Sequence, residues 1–302
     1  MPKQSRYFLS GVLSFAIWGF FSIPLRNLKE FPSMEILYYR IFASVALIWL
    51  TIFLFRRKQV LADISYLKSS TRKQNITVLI QVVVATIFLV LNWYTFIYAV
   101  NNVSLQSAAF AYMVCPLLTA FGGFVLLKEK LSKLKLVSLG IALISIILLA
   151  TGSLVEVSWS VGIAFLYAVY LIIQRKMQHL DKLNVLAVQI SFAMLLMLPL
   201  YISRHNAVPE SIWFWSNIFI VALIFTIVPL FLSLYALIGI PSSTLGIIIY
   251  VNPIIAFTLA IVYFDERIDP HKLFCYLLLL VSIVVFNWSM LKYIFTFKHK
   301  RV

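Results

Sequence analysis

Ten times along this chain, a run of about 20 residues passes almost without a charge, which is the length that crosses the hydrocarbon core of a bilayer. The runs cover 7–25, 34–55, 76–98, 105–127, 132–151, 157–173, 184–203, 212–237, 243–264 and 271–291. Composition agrees: 63% of the residues are hydrophobic and only 12% charged, against about 25% charged in a soluble domain. The longest polar gap runs only from Arg56 to Asn75, so no soluble domain is left over. The expected fold class is therefore an all-α polytopic membrane protein with ten transmembrane helices.

Lys3 and Arg6 precede the first run as in a secretory leader, but no small-x-small cleavage site comes before Pro24. It reads as a retained helix. Cys115 and Cys275 both fall in expected helices and imply no disulfide framework. The net charge of +15 invites a nucleic-acid reading, but its distribution argues against one. With the N-terminus in the cytoplasm, ten spans put nineteen Lys and Arg residues on that side and five opposite, with Arg40 inside a helix. That is a positive-inside bias, and it predicts cytoplasmic N- and C-termini in an inner (plasma) membrane. Anionic lipid headgroups are the expected partners of the basic loops.

One element is written twice. YMVCPLLTAFGGFVLLKEK at 112–130 returns as IYVNPIIAFTLAIVYFDER at 249–267. At an offset of 137, Tyr98-Ala99 falls on Tyr235-Ala236, Pro116 on Pro253 and Glu129 on Glu266. Five runs separate the copies, and an odd number reverses direction in the membrane. Two five-helix halves, 1–151 and 152–302, in inverted topology follow, with a shared site expected near the midplane. Pro116 and Pro253 are expected near helix centres, each removing a backbone hydrogen bond. They fit fixed kinks or paired hinges. Glu129 and Glu266 stay acidic while their neighbours change from Lys128 to Asp265. They fit helix-end carboxylates paired with a nearby cation, or a symmetric pair of gate latches bonded to an adjacent helix end.

LNWYTFIYAVNN at 91–102, the proline and glutamate of the fourth run and the Glu35-to-Arg40 spacing together resemble the RarD-like branch of the EamA family, in the drug/metabolite transporter superfamily. The resemblance covers nearly the whole chain. It implies ten helices in an inverted 5+5 repeat, a central cavity and export of small metabolites. The first run lacks the membrane-embedded glutamate of the small multidrug relatives, which disfavours proton-coupled cation export of that type.

Ionisable groups inside a membrane are functional candidates by default, and Arg40 is the clearest. It fits either a snorkelling cation or a bidentate receiver of a substrate carboxylate or phosphate. Glu35 lies about 140° around the helix from it, off its face. Asn92 and Gln189 fit interhelical hydrogen bonds or cargo contacts. The aromatics Trp18, Tyr98, Tyr235 and Tyr250 fit cavity walls or packing. The aliphatic fifth and tenth runs suit a lipid-facing scaffold or a homodimer contact.

No H-E-x-x-H, no Asp-rich metal motif and no phosphate-binding glycine loop occurs. The expectation is a secondary transporter without cofactor, not an enzyme. The expected activity is export of a small organic metabolite, an amino acid or derivative first among them, by alternating access. The alternatives are a chloramphenicol-type multidrug exporter and a passive channel.

Overall fold

The computed structural model describes residues 3–127, 131–177, 179–204, 208–240 and 248–288. Within them every regular element is a helix: α1 (Lys3–Gly19), α2 (Ser22–Asn27), α3 (Ser33–Phe55), α4 (Arg57–Ser69), α5 (Arg72–Asn102), α6 (Leu105–Leu127), α7 (Lys133–Gly152), α8 (Leu154–Lys176), α9 (Lys182–Arg204), α10 (Ile212–Ala222), α11 (Val228–Gly239), α12 (Val251–Val262) and α13 (Pro270–Phe286). A five-residue π-helical turn, Leu223–Ile227, joins α10 to α11. Among the described residues, eight helical stretches are long and apolar enough to cross a membrane. The protein is a multi-pass membrane protein. The ninth and tenth runs are shorter apolar helices of 12 and 17 residues, since 241–247 and 289–302 lie outside the described residues.

Helix starts follow local chemistry. Thr71 and Gln74 form a capping box at α5, each side chain bonding the other's backbone N–H. Ser132, Ser153 and Ser211 accept from Lys135, Glu156 and Phe214 N–H groups to start α7, α8 and α10. Asp269 accepts from His271 N–H at 2.9 Å ahead of Pro270, which has no N–H to satisfy at the first turn of α13.

The polar gap after Arg56 is itself a helix, α4. Its inner face carries Val60, Asp63, Tyr66 and Leu67, while Arg57, Lys58, Leu61 and Lys68 stay exposed. Asp63 Oδ2 accepts from Asn184 Nδ2 at 2.7 Å, and Arg56 Nη2 meets Asp181 Oδ2 at 2.5 Å, so α4 is strapped to the start of α9.

The spans pack through small side chains. Ala108, Ala109 and Ala111 on α6 and Ala164 and Ala168 on α8 are buried, and Ser160 Oγ donates to Ser107 O at 2.8 Å between them. α1 lies on α11 so closely that a Cβ on Gly239 would overlap the Tyr7 ring. α7 and α13 face each other along a serine seam: Ser138 Oγ donates to Ser282 O at 2.8 Å and Ser145 Oγ to Cys275 O at 2.7 Å. The aliphatic fifth and tenth runs thus bury one face on each other, and Leu143, Ile147, Leu277 and Leu280 on the other faces remain exposed. Cys115 and Cys275 are free and buried.

Candidate functional site

Arg40 is the eighth residue of α3, about 10 Å in from the helix start at 1.5 Å per residue. It does not snorkel: its relative exposure is 3%. The guanidinium carbon lies 4.1 Å from the centroid of the Trp93 ring and 4.9 Å from that of Phe21. Desolvated cation–π contacts are worth on the order of 2 kcal/mol, less than the several kcal/mol that burying an ion costs. A counter-charge is the usual remedy, and among the described residues none reaches Arg40. Nε and Nη2 both donate to a single neutral oxygen, Thr226 Oγ1, at 3.3 Å each, and Nη1 has no hydrogen-bond partner. An underpaired cation in a low-dielectric interior has the chemistry to receive an anion.

The wall opposite is built by Pro229. A proline cannot donate to the carbonyl four residues back, which leaves Phe225 O free. Trp18 Nε1 fills that vacancy at 2.9 Å, and Ser14 Oγ donates to Pro229 O at 2.6 Å. The π-helical turn ends two residues before this proline, and the extra residue in its turn goes with Thr226 facing Arg40. Phe225 stacks on Phe21 at 5.4 Å and Phe21 on Phe96 at 5.7 Å, with Tyr112 and Tyr167 continuing the row. Arg40 therefore stands at one side of an aromatic layer.

The other candidates scatter around this centre. Trp18 reaches the site through its indole N–H. Asn92, next to Trp93, donates to Ile163 O at 2.9 Å and ties α5 to α8. Gln189, the eighth residue of α9, accepts from Gln174 Nε2 at 2.9 Å and leaves its own Nε2 without a partner. Tyr98 stacks on Trp159 at 4.8 Å. Tyr235 is half-exposed against Tyr7, at the α1–α11 contact. Tyr250 is buried in the main core, just ahead of α12. Pro116 lies inside α6 as expected. Pro253 lies in the first turn of the described α12 rather than at a helix centre, a place where its missing N–H costs little. A cavity of about 260 Å³ lies away from Arg40, among Tyr66 of α4, Lys73, Thr77 and Gln81 of α5, and His179. Thr226 and Phe21 were missed by sequence reasoning; a lone hydroxyl in the run VALIFTIVPLF is the only hint of the former.

Glu266 makes the second arrangement of interest. Its carboxylate accepts from Leu105 N at 2.9 Å and Gln106 N at 3.1 Å, the orphan donors that begin α6, and pairs with Arg26 Nη2 at 2.5 Å. Asp265 makes this reach possible: at φ 52° it reverses the chain after α12, and Glu266 N then bonds Ala260 O at 2.9 Å. Glu266 thus clasps the end of α12 to the end of α2 and the start of α6. Beside it, Lys272 pairs with Glu156 at 2.7 Å. Glu129 lies outside the described residues.

The model of the EamA-like transporter family matches twice, over residues 5–151 and 154–288. The uncharacterized transporter YojE of Bacillus subtilis is 27% identical over 287 residues, covering 93% of each chain. The protein RarD of Streptomyces exfoliatus is 27% identical over 96% of this chain and 90% of its own length. The RarD protein of Escherichia coli is 25% identical over 94% and 95%. A solved crystal structure shares the fold, with a TM-score of 0.61 at 14% identity over 94% of this chain and 98% of its own. These matches bear out the resemblance to RarD-like proteins: the chain belongs to the EamA-like transporter family and is a multi-pass membrane transporter.

Proposed function

We propose that this transporter exports small organic metabolites bearing a carboxylate or similar anionic group, an amino acid or its derivative being the best fit. The observation that carries the reading is Arg40: a buried guanidinium, sandwiched by Phe21 and Trp93 and facing no carboxylate among the described residues. A planar cation presents parallel donors that suit an anionic oxygen pair, and the adjoining aromatic row suits an apolar body.

Transport proceeds by alternating access between two inverted five-helix halves, 1–151 and 152–302. The separate family matches to 5–151 and 154–288 support this division. So does the packing: exchanging each span for the one five places on converts α1·α11 into α5·α8, α6·α8 into α1·α12 and α3·α10 into α5·α9. Arg40 and Gln189 then occupy equivalent depths, as the eighth residues of α3 and α9. The Glu266 clasp is the closed gate at the non-cytoplasmic end, Glu129 its counterpart at the other, and α6 bends at Pro116, while Pro253 marks the start of α12. Both termini are cytoplasmic, in the inner membrane. The sequence holds no ATP-binding loop, so an ion gradient or exchange drives the cycle.

The test uses purified protein in liposomes loaded with N-acetylphenylalanine, an anion with an aromatic body, and with the cation phenylalaninamide. Saturable exchange of the anion, lost in Arg40→Gln, is the expected result. Non-saturating flux, or equal handling of both compounds by wild type and variant, would overturn it.

A further inference from the structure

Arg40 spends both prongs of its fork on one neutral atom. Nε and Nη2 each reach Thr226 Oγ1 at 3.3 Å, long for hydrogen bonds from a charged donor. The same hydroxyl donates its only proton to Val221 O at 2.9 Å, five residues back in the last turn of α10. Its lone pairs therefore face the guanidinium, as those of a carboxylate oxygen would. Arg40 lies on α3 in the first half of the chain, and Thr226 in the second.

We propose that the Thr226 hydroxyl is a built-in stand-in for the cargo's anionic oxygen, holding the Arg40 fork in the empty site and giving it up when cargo binds. Thr226 is then a specificity-determining residue. It is weak enough for a full carboxylate to displace, yet it holds two of the three guanidinium nitrogens when nothing is bound. Neutral compounds, which bring no counter-charge to the buried cation, gain far less from the exchange than a carboxylate does. Displacement also removes a contact between the two halves, alongside the Trp18-to-Phe225 O and Ser14-to-Pro229 O bonds that join α1 to the same stretch. Cargo binding and loosening of the halves become one event.

The proposal rests on anion docking at Arg40, and the experiment separates the two. Binding of N-acetylphenylalanine to the purified full chain is measured by calorimetry for wild type, Thr226→Val, Thr226→Ser, Thr226→Asp and Arg40→Gln. Val leaves the fork unsatisfied in the free protein, so the anion binds about tenfold more tightly. Ser keeps the oxygen and stays near wild type. Asp supplies a permanent internal carboxylate and abolishes binding while Arg40 is intact. Thermal melts monitor folding: Thr226→Val lowers the melting temperature without ligand and recovers more of it than wild type does when the anion is added. Loss of binding in Arg40→Gln with Val equal to wild type overturns the stand-in role and leaves anion docking standing. Binding weakened in Val would make Thr226 a direct cargo ligand and likewise overturn it. Binding retained in Arg40→Gln, or absent from wild type, sinks both.

Discussion

At Arg40 the proposed anion docking rests on a single buried side chain. The faces of the Trp93 and Phe21 rings, where π density is negative, stabilise the cation, and its donors are left to one hydroxyl. Lysine keeps the charge but neither the fork nor the stacking plane. In Arg40→Lys, the KM for exchange of N-acetylphenylalanine should therefore rise about tenfold or more, with phenylalaninamide handling unchanged, in a liposome counterflow assay. Asp265 is a residue of a different kind, placed by its backbone. The sequence comparison with Lys128 presents it as a charge adjustment, whereas φ 52° shows a position that Gly, Asn or Asp tolerates. Asp265→Gly should melt at or near the wild-type temperature, and Asp265→Val should lose about 1–2 kcal/mol, read from denaturation in detergent. Arg40 could be found from its charge within an apolar run, but Thr226 could not. A threonine inside a span usually bonds its own helix, as Thr86 does to Val82 O at 2.8 Å.

Among the elements, the stretch from α10 to α11 and the turn after α12 do the positioning. Pro229 frees a carbonyl, the π-helical turn widens the helix ahead of it, and α1 supplies the missing donor through Trp18. Proline and tryptophan are visible in the sequence; their partnership spans 211 positions from 18 to 229 and is not. The clasp follows the same logic. A carboxylate at the end of one helix is readable, yet its acceptance of two N–H donors at the start of α6 depends on how α12 meets α6. Glu266→Gln keeps the shape and loses the charge that favours both the helix start and Arg26. The clasp should weaken by about 1–3 kcal/mol, and a cysteine at Leu105 should react faster with a membrane-impermeant maleimide. Unchanged reactivity would show that the clasp gates nothing. α4 was hidden for a simpler reason: a polar gap between spans has no membrane-length signal, and its inner face is defined by tertiary contacts such as Asp63 meeting Asn184 and Tyr66 stacking on His179.

For the whole molecule, orientation and gating are the properties at stake. The basic excess on one side predicts that a cysteine at Lys68, on α4, is labelled only from the cytoplasm, and one at Glu210, before α10, only from outside. Labelling of both from one face would reverse the proposed assignment. The sequence by itself determined that this chain crosses a membrane many times and where most spans begin and end, and it shows one element written twice. These follow from properties summed along the chain: apolar length and a repeated motif. Only the tertiary structure decided which polar groups are satisfied. Inside an apolar bundle a charge or a freed carbonyl must find a partner on another helix, and Arg40 with Thr226, Trp18 with Phe225, and Glu266 with the start of α6 become pairs only when the helices pack.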